Sequence, residues 1–376
     1  MCGNPYAQWD IRAESAAPMR ITSLLQWTSV APIVACVVLA FAWGREGGWP
    51  LFAVVAAALV AAVFAALHHA EVVAHRTGEP FGTLILALAI TVIEVALIIS
   101  MMLSGGPSVP ELARDTLFAT VMIICNGVIG LCLWVGARRH RVVEFRVEGT
   151  TPALSVLIAL TAMTLVLPRL TVTTPGPSYS TSQLIFAGVL SFALYSTFVF
   201  VQTVRHRDYF LPVGAAEEEH AKPPSGRTAV ASFVLLCLSL VAVVGLAKSL
   251  TPGIRAAVEM LSAPPSAVGI IIALLVLLPE ASAAVRAALR NRMQTSLNLA
   301  LGSALASIGL TIPAVAAVAI IMHLDLALGL EPKEMAFLAI TLLVATTTLA
   351  SGRATVLQGA VHLVLFAAFV FLSIVP

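Results

Sequence analysis

Two glutamates lie in stretches that otherwise carry no charge. Glu94 sits near the middle of GTLILALAITVIEVALIIS (residues 82–100), and Glu280 closes VGIIIALLVLLPE (268–280). An acidic side chain at bilayer depth costs roughly 2.5–3.5 kcal/mol to insert, so a chain that keeps one there uses its charge. Neutral oxygens accompany both. Thr91 stands one helical turn before Glu94, Asn126 lies in TVMIICNGVIGLCLWVG, and Ser303 and Ser307 lie in SLNLALGSALASIGLTIPAV. Pro279 has no N–H to donate, which frees a carbonyl beside Glu280. Carboxylate, hydroxyl, amide and freed carbonyl oxygens together suit a hard cation such as Ca²⁺, which takes about 6–8 oxygen ligands. Left empty, two neighbouring carboxylates in a poorly solvated site hold protons instead. Protons and cation then compete for one set of oxygens, and with access alternating between two sides that is the physics of a cation/proton antiporter.

The elements that position these residues follow from composition. Of 376 residues, 59% are hydrophobic and 11% charged, with mean hydropathy +0.99. A soluble domain carries about 25% charged residues, so the chain is an integral membrane protein. A bilayer core needs roughly 20 helical residues. Apolar runs near 24–43, 50–67, 83–103, 116–136, 151–168, 183–204, 228–247, 268–287, 295–322, 335–350 and 354–375 predict eleven transmembrane helices. Two-residue alternation is absent and the runs are too long for barrel strands, so the expected class is an all-α bundle. With the N-terminus inside, 15 of the 21 Lys and Arg fall on the cytoplasmic side, which places the N-terminus in the cytoplasm and the C-terminus outside.

The glutamate-bearing spans are the third and the eighth. They lie five apart, and five is odd, so duplication of a five-helix unit sets the second copy upside down, as in many secondary transporters. The expected organisation is a tail (1–23), a leading helix (24–48), a first five-helix repeat (49–204), a cytoplasmic linker (205–227) and an inverted second repeat (228–376). Local patterns agree: Gly82 precedes Glu94 by twelve residues, Gly269 precedes Glu280 by eleven, and Glu71 and Glu259 open the two segments. A protonated acid bonding helix to helix is the alternative role for either glutamate alone. Two in matching positions, with no Lys or Arg in any expected span away from its ends, favour the ion site.

Other polar groups read more plainly. His68, Glu71 and His75 share one face of a helix that ends at the cytoplasmic surface; they form a polar helix end, a pH-responsive entrance to the cation path, or a zinc site that still needs a third strong ligand. Glu217, Glu218 and Glu219 lie in the linker, as a solvated run or a cation-sensing one. His323, Asp325, Glu331 and Glu334 lie in an outer turn, and His362 reads as a helix contact in the last span. The five cysteines show no metal or disulfide spacing and read as small buried hydrophobes. No phosphate loop, Ser/His/Asp set or cofactor motif occurs, so the chain is not expected to be an enzyme or to hold a cofactor. Its partners are an inorganic cation, protons and the bilayer, with no nucleic acid and no protein partner evident. A channel using the same carboxylates is the alternative function.

At these residues the chain resembles the calcium/proton antiporter family of the cation/calcium exchanger superfamily, and more closely its bacterial branch. The likeness rests on Glu94 and Glu280 in the third and eighth of eleven helices, on HAEVVAHRTGEPFGTLILALAITVIE with Glu71, Gly78 and Gly82, on Asn126, and on Gly302, Ser303 and Pro313. It covers roughly residues 24–376 and implies exchange of Ca²⁺ for protons across a bacterial inner membrane. The family's Gly-Asn-x-x-Glu pattern reads Ile90-Thr91 and Val276-Leu277 here, and a Gln common after the Gly-Ser is Ala306. Fewer amide oxygens leave Na⁺ and K⁺ open beside Ca²⁺.

Overall fold

The computed structural model describes residues 21–45, 48–78, 81–102, 109–211, 224–260, 264 and 266–375. Most of the N-terminal tail and the acidic run Glu217–Glu219 lie outside them, as does the side chain of Glu259.

Each apolar run overlaps one helix. The helices are α1 (Ile21–Ala42), α2 (Trp49–Thr77), α3 (Phe81–Met102), α4 (Pro110–His140), α5 (Val147–Leu170), α6 (Thr181–Arg205), α7 (Gly226–Met260), α8 (Ser266–Leu289), α9 (Met293–Met322), α10 (Pro332–Leu349) and α11 (Val356–Ile374). Among the described residues nine are long and apolar enough to cross a membrane. The described apolar parts of the other two, Trp27–Ala42 of α1 and Thr91–Ser100 of α3, are shorter. The chain is thus a mostly helical integral membrane protein. Helices suit this setting because each backbone N–H and C=O is satisfied within its own segment. Where a cap is needed outside the apolar run, the sequence supplies it. Ser180 with Gln183, Glu331 with Glu334 and Thr355 with Gln358 form capping boxes at the starts of α6, α10 and α11.

Several helices run further than hydropathy suggests. α2 continues through His68–Arg76 to Thr77, and α7 continues past Lys248 to Met260. α4 begins before the expected span and so takes in Arg114, which the sequence pattern places in an outer loop. Arg114 is buried, and its charge is met by Glu111 at 3.3 Å and Asp115 at 2.8 Å, with a further bond to the Gly329 carbonyl. A buried guanidinium is tolerated because it is paired and hydrogen-bonded.

The connections sort into two ends. At one, β1 (Val143–Glu144) pairs antiparallel with β2 (Arg353–Ala354), joining the α4–α5 and α10–α11 turns. The Arg146 N–H donates to Gln294 Oε1 at 2.6 Å, and Asn298 donates to the Phe210 carbonyl at 2.6 Å. At the other end, Ala327 N–H donates to the Pro110 carbonyl and Gly329 N–H to the Pro177 carbonyl, both at 2.9 Å, and Arg169 pairs with Glu331 at 3.3 Å. Loops two helices apart in the chain share an end, as an up-and-down membrane bundle requires.

Two apolar cores form. The smaller joins α1, α2 and α7 to one face of α3 and α8, through Ala89, Ile93 and Leu97 and through Val268, Ile272 and Val276. The larger joins α4, α5, α6, α9, α10 and α11 to the opposite side of the same two helices, through Ile98 and through Ile270, Ala273 and Leu277. α3 and α8 therefore form the seam. Close approach elsewhere depends on small residues. A Cβ at Gly359 of α11 would stand 2.5 Å from the Trp134 backbone nitrogen of α4. Gly359→Ala is expected to force these two backbones apart, at about 1–3 kcal/mol, and to lower the thermal midpoint of detergent-solubilised protein by several degrees. Gly226→Ala, with nothing within 4 Å of the new Cβ, is the matched control and leaves it unchanged.

Candidate functional site

The seam holds the two glutamates. Glu94 on α3 and Glu280 on α8 are 5% and 7% exposed, and no Lys or Arg pairs with either among the described residues. Ser307 of α9 is hydrogen-bonded to the Glu94 carboxyl, whose Oε1 has no partner. Both oxygens of Glu280 are without partners, and the two carboxyls lie near enough for each to feel the other's charge. Buried polar atoms are rarely left unsatisfied, since each costs about 1–3 kcal/mol and more where charged. Three orphaned carboxylate oxygens at one seam are acceptors for something the chain does not supply.

The surroundings place most of the expected residues at this seam. Thr91, buried, sits one turn before Glu94 on α3. Ser303 stands one turn before Ser307 on α9, and its hydroxyl is buried without a partner. α8 passes through Pro279 unbroken. The carbonyl that loses its helical donor there is Leu275, four residues back, while the Pro279 carbonyl accepts from Ser282 at 2.7 Å. Pro279 and Glu280 line a small cavity closed by Ala66 and Ala70 of α2 and Ala89 and Ile93 of α3. Asn126 lies in a π-helical turn of α4, Ile123–Val128, that packs against α8 and α9. Its amide bonds Thr341 and His362 and neither glutamate.

The histidine face lies apart from this. Glu71 and His75 are exposed near the end of α2, with Arg286 of α8 close enough to act on the Glu71 charge. His68 is half-buried and its Nε2 has no partner, while the neighbouring His69 is buried and bonds the Thr28 carbonyl of α1 at 3.1 Å. Among the described residues no three His, Cys, Asp or Glu side chains gather to hold a metal. The zinc alternative therefore lacks its third ligand there. Sequence reasoning missed Thr341 and Thr348, whose hydroxyls read as ordinary helix residues, and missed the partners of His362.

Comparison with known proteins settles the family. The sequence profile described as "Sodium/calcium exchanger protein" matches residues 47–204 and again 231–375. The chain belongs to the sodium/calcium exchanger family. Among members and relatives, the Sinorhizobium fredii protein named "Putative ionic transporter y4hA" is 46% identical over 370 residues, covering 96% of this chain and all of that one. The sodium-potassium/proton antiporter ChaA of Escherichia coli is 33% identical, covering 90% of this chain and 94% of its own. The crystal structure of the H⁺/Ca²⁺ exchanger CAX shares the fold, with a TM-score of 0.69 at 15% identity, over 93% of this chain and 89% of that one. Membership of this exchanger family makes the chain a cation antiporter of a membrane and disfavours an ion-conducting pore.

Proposed function

We propose that the protein is a secondary active cation/proton antiporter that exports Ca²⁺ from the cytoplasm, with Glu94 and Glu280 bound by cation and protons in turn. The observation that carries this reading is the pair of buried carboxyls with three oxygens unpartnered, and no basic counter-ion, among the described residues. Thr91 on α3 and Ser303 and Ser307 on α9 stand near as neutral oxygens, the carbonyl freed by Pro279 adds another, and Asn126 lies in the adjoining π turn of α4, its amide held by Thr341 and His362.

Eleven spans, with α1 leading and α2–α6 repeated upside down as α7–α11, is the accompanying architecture. Its support is reciprocal packing: α2 meets α7, α3 meets α9 while α8 meets α4, and α6 meets α9 while α11 meets α4. The two separate matches to one family profile support it as well. Movement of the small core against the large one, along the seam of α3 and α8, would expose the carboxyls to each side alternately. The excess of Lys and Arg on one set of loops supports an N-terminus in the cytoplasm.

A second reading takes Na⁺ or K⁺ as cargo. It is favoured by Thr91 in place of an amide, and by the name of the Escherichia coli relative, a sodium-potassium/proton antiporter. Proteoliposomes loaded with a pH dye and challenged in turn with Ca²⁺, Na⁺, K⁺ and Mg²⁺ separate the readings. Proton release driven by Ca²⁺ at the lowest concentration is the expected result. A larger response to K⁺ or Na⁺ selects the second reading, and cation flux indifferent to an imposed pH gradient removes both.

A further inference from the structure

The widened turn of α4 is where the chain departs furthest from a plain helix near the seam. Such π turns cost regular hydrogen bonding and gather at functional sites. Asn126 lies within it, fully buried, and its amide is gripped by α10 and α11. Asn126 Nδ2 donates to Thr341 Oγ1 of α10 at 2.8 Å. Oδ1 stands 3.3 Å from Nδ1 of His362 on α11. On the far side of the imidazole, Nε2 stands 3.2 Å from Thr348 Oγ1 of α10.

The proton positions follow from the orientation of the amide: its Nδ2 faces Thr341, so its carbonyl oxygen faces the imidazole. A carbonyl only accepts, so the ring turns an N–H toward the π turn. A fully buried imidazole with no carboxylate paired to it among the described residues stays neutral, so Nδ1 carries the one proton, Asn126 Oδ1 accepts it, and Nε2 accepts from the Thr348 hydroxyl. The ring is fully buried, and α11 lies so near α4 here that a Cβ at Gly130 would stand 2.8 Å from the His362 Cβ.

We infer that His362 is a positioning residue for the cation site, fixing the Asn126 amide and the π turn of α4 through its neutral Nδ1–H form. This rests on the reading that cation binds at the seam between Glu94 and Glu280. His362 touches neither glutamate. It acts by deciding which atoms of the π turn face α8 and α9, as outer hydrogen-bond partners do for ligands whose loss costs about 10–100-fold in affinity.

Two substitutions divide the imidazole's functions. His362→Asn can keep a donor where Nδ1 stands and gives up the contact to Thr348; His362→Gln reaches the Thr348 position and gives up the donor to Asn126. In the proteoliposome assay, the Asn variant is expected to hold its apparent KM for the transported cation within about threefold of wild type. The Gln variant is expected to raise it about tenfold or more, with the maximal rate per folded molecule little changed. Equal effects, or a milder effect from Gln, follow size and not the retained nitrogen and overturn the proposal. A second measurement needs no transport. In wild-type protein with ¹⁵N-labelled histidine, the His362 signal, assigned by its loss in His362→Asn, is expected to report a protonated Nδ1 and a bare Nε2. The opposite tautomer or an imidazolium overturns the proposal. Absence of proton-coupled flux in wild type would instead sink the exchange reading, leaving the tautomer to decide the network.

Discussion

Glu94→Gln and Glu280→Gln are each expected to abolish proton-coupled cation exchange. Glutamine matches the shape of a protonated glutamate and can still accept from Ser307, but it takes neither a negative charge nor a transferable proton. A cation seated between two buried carboxylates loses half its counter-charge, and removing one partner of a buried ion pair costs about 3–5 kcal/mol. At 1.4 kcal/mol per factor of ten, that is about 100- to 1,000-fold or more in cation affinity. The two glutamates act as a unit, so either single variant is expected to be as inactive as the double. Fold is not the cause, because glutamine keeps the shape of the acid and removes the cost of a buried charge. The thermal midpoint of both variants is expected to equal or exceed that of wild type near neutral pH. Exchange above one-tenth of wild type in either variant, measured with a pH dye in proteoliposomes, would falsify the shared site.

How much of this was legible beforehand depended on which force decided each feature. Helix existence follows from apolar length, so every run found its helix. Helix ends do not: α2 carries on through HHAEVVAH and α7 past Lys248, because backbone hydrogen bonding continues where hydropathy stops. The inclusion of Arg114 in α4 has the same origin, and its ion pairs to Glu111 and Asp115 depend on helical spacing that begins at that earlier start. The burial of Glu94 and Glu280 was legible because a carboxyl within an apolar run is kept from lipid by turning into the bundle. Ser307 could be named as a neighbour by its place in the ninth run, and its bond to Glu94 agrees. The hold on Asn126 was not legible. It joins residues 215 and 236 positions apart in the chain, and the π turn that aims the amide leaves no mark in composition. Threonines such as Thr341 and Thr348 look the same in sequence whether they bond their own helix or another.

Apparent cation affinity on the loading side is expected to fall as that side is acidified. The sign follows from competition: a proton on either carboxyl removes the charge the cation needs, so lower pH populates the form that does not bind. Where one proton must leave, KM rises about tenfold for each pH unit of acidification; where two must leave, about a hundredfold. Above the range in which the carboxyls hold protons, KM levels off. On the release side the sign reverses, because protons arriving there displace the cation and speed turnover. The slope also identifies the cargo. Ca²⁺ leaving against two protons moves no net charge, whereas a monovalent ion exchanged for two protons moves one. That second stoichiometry feels a membrane potential, worth about 2.3 kcal/mol per elementary charge per 100 mV. Initial rates measured over a range of cation concentrations from about pH 6 to about pH 8.5, with and without a potassium-independent imposed potential, supply both readings. A two-proton slope without potential sensitivity is expected for Ca²⁺, a one-proton slope without it for Na⁺ or K⁺, and a KM independent of pH across the range would remove competition at Glu94 and Glu280 altogether.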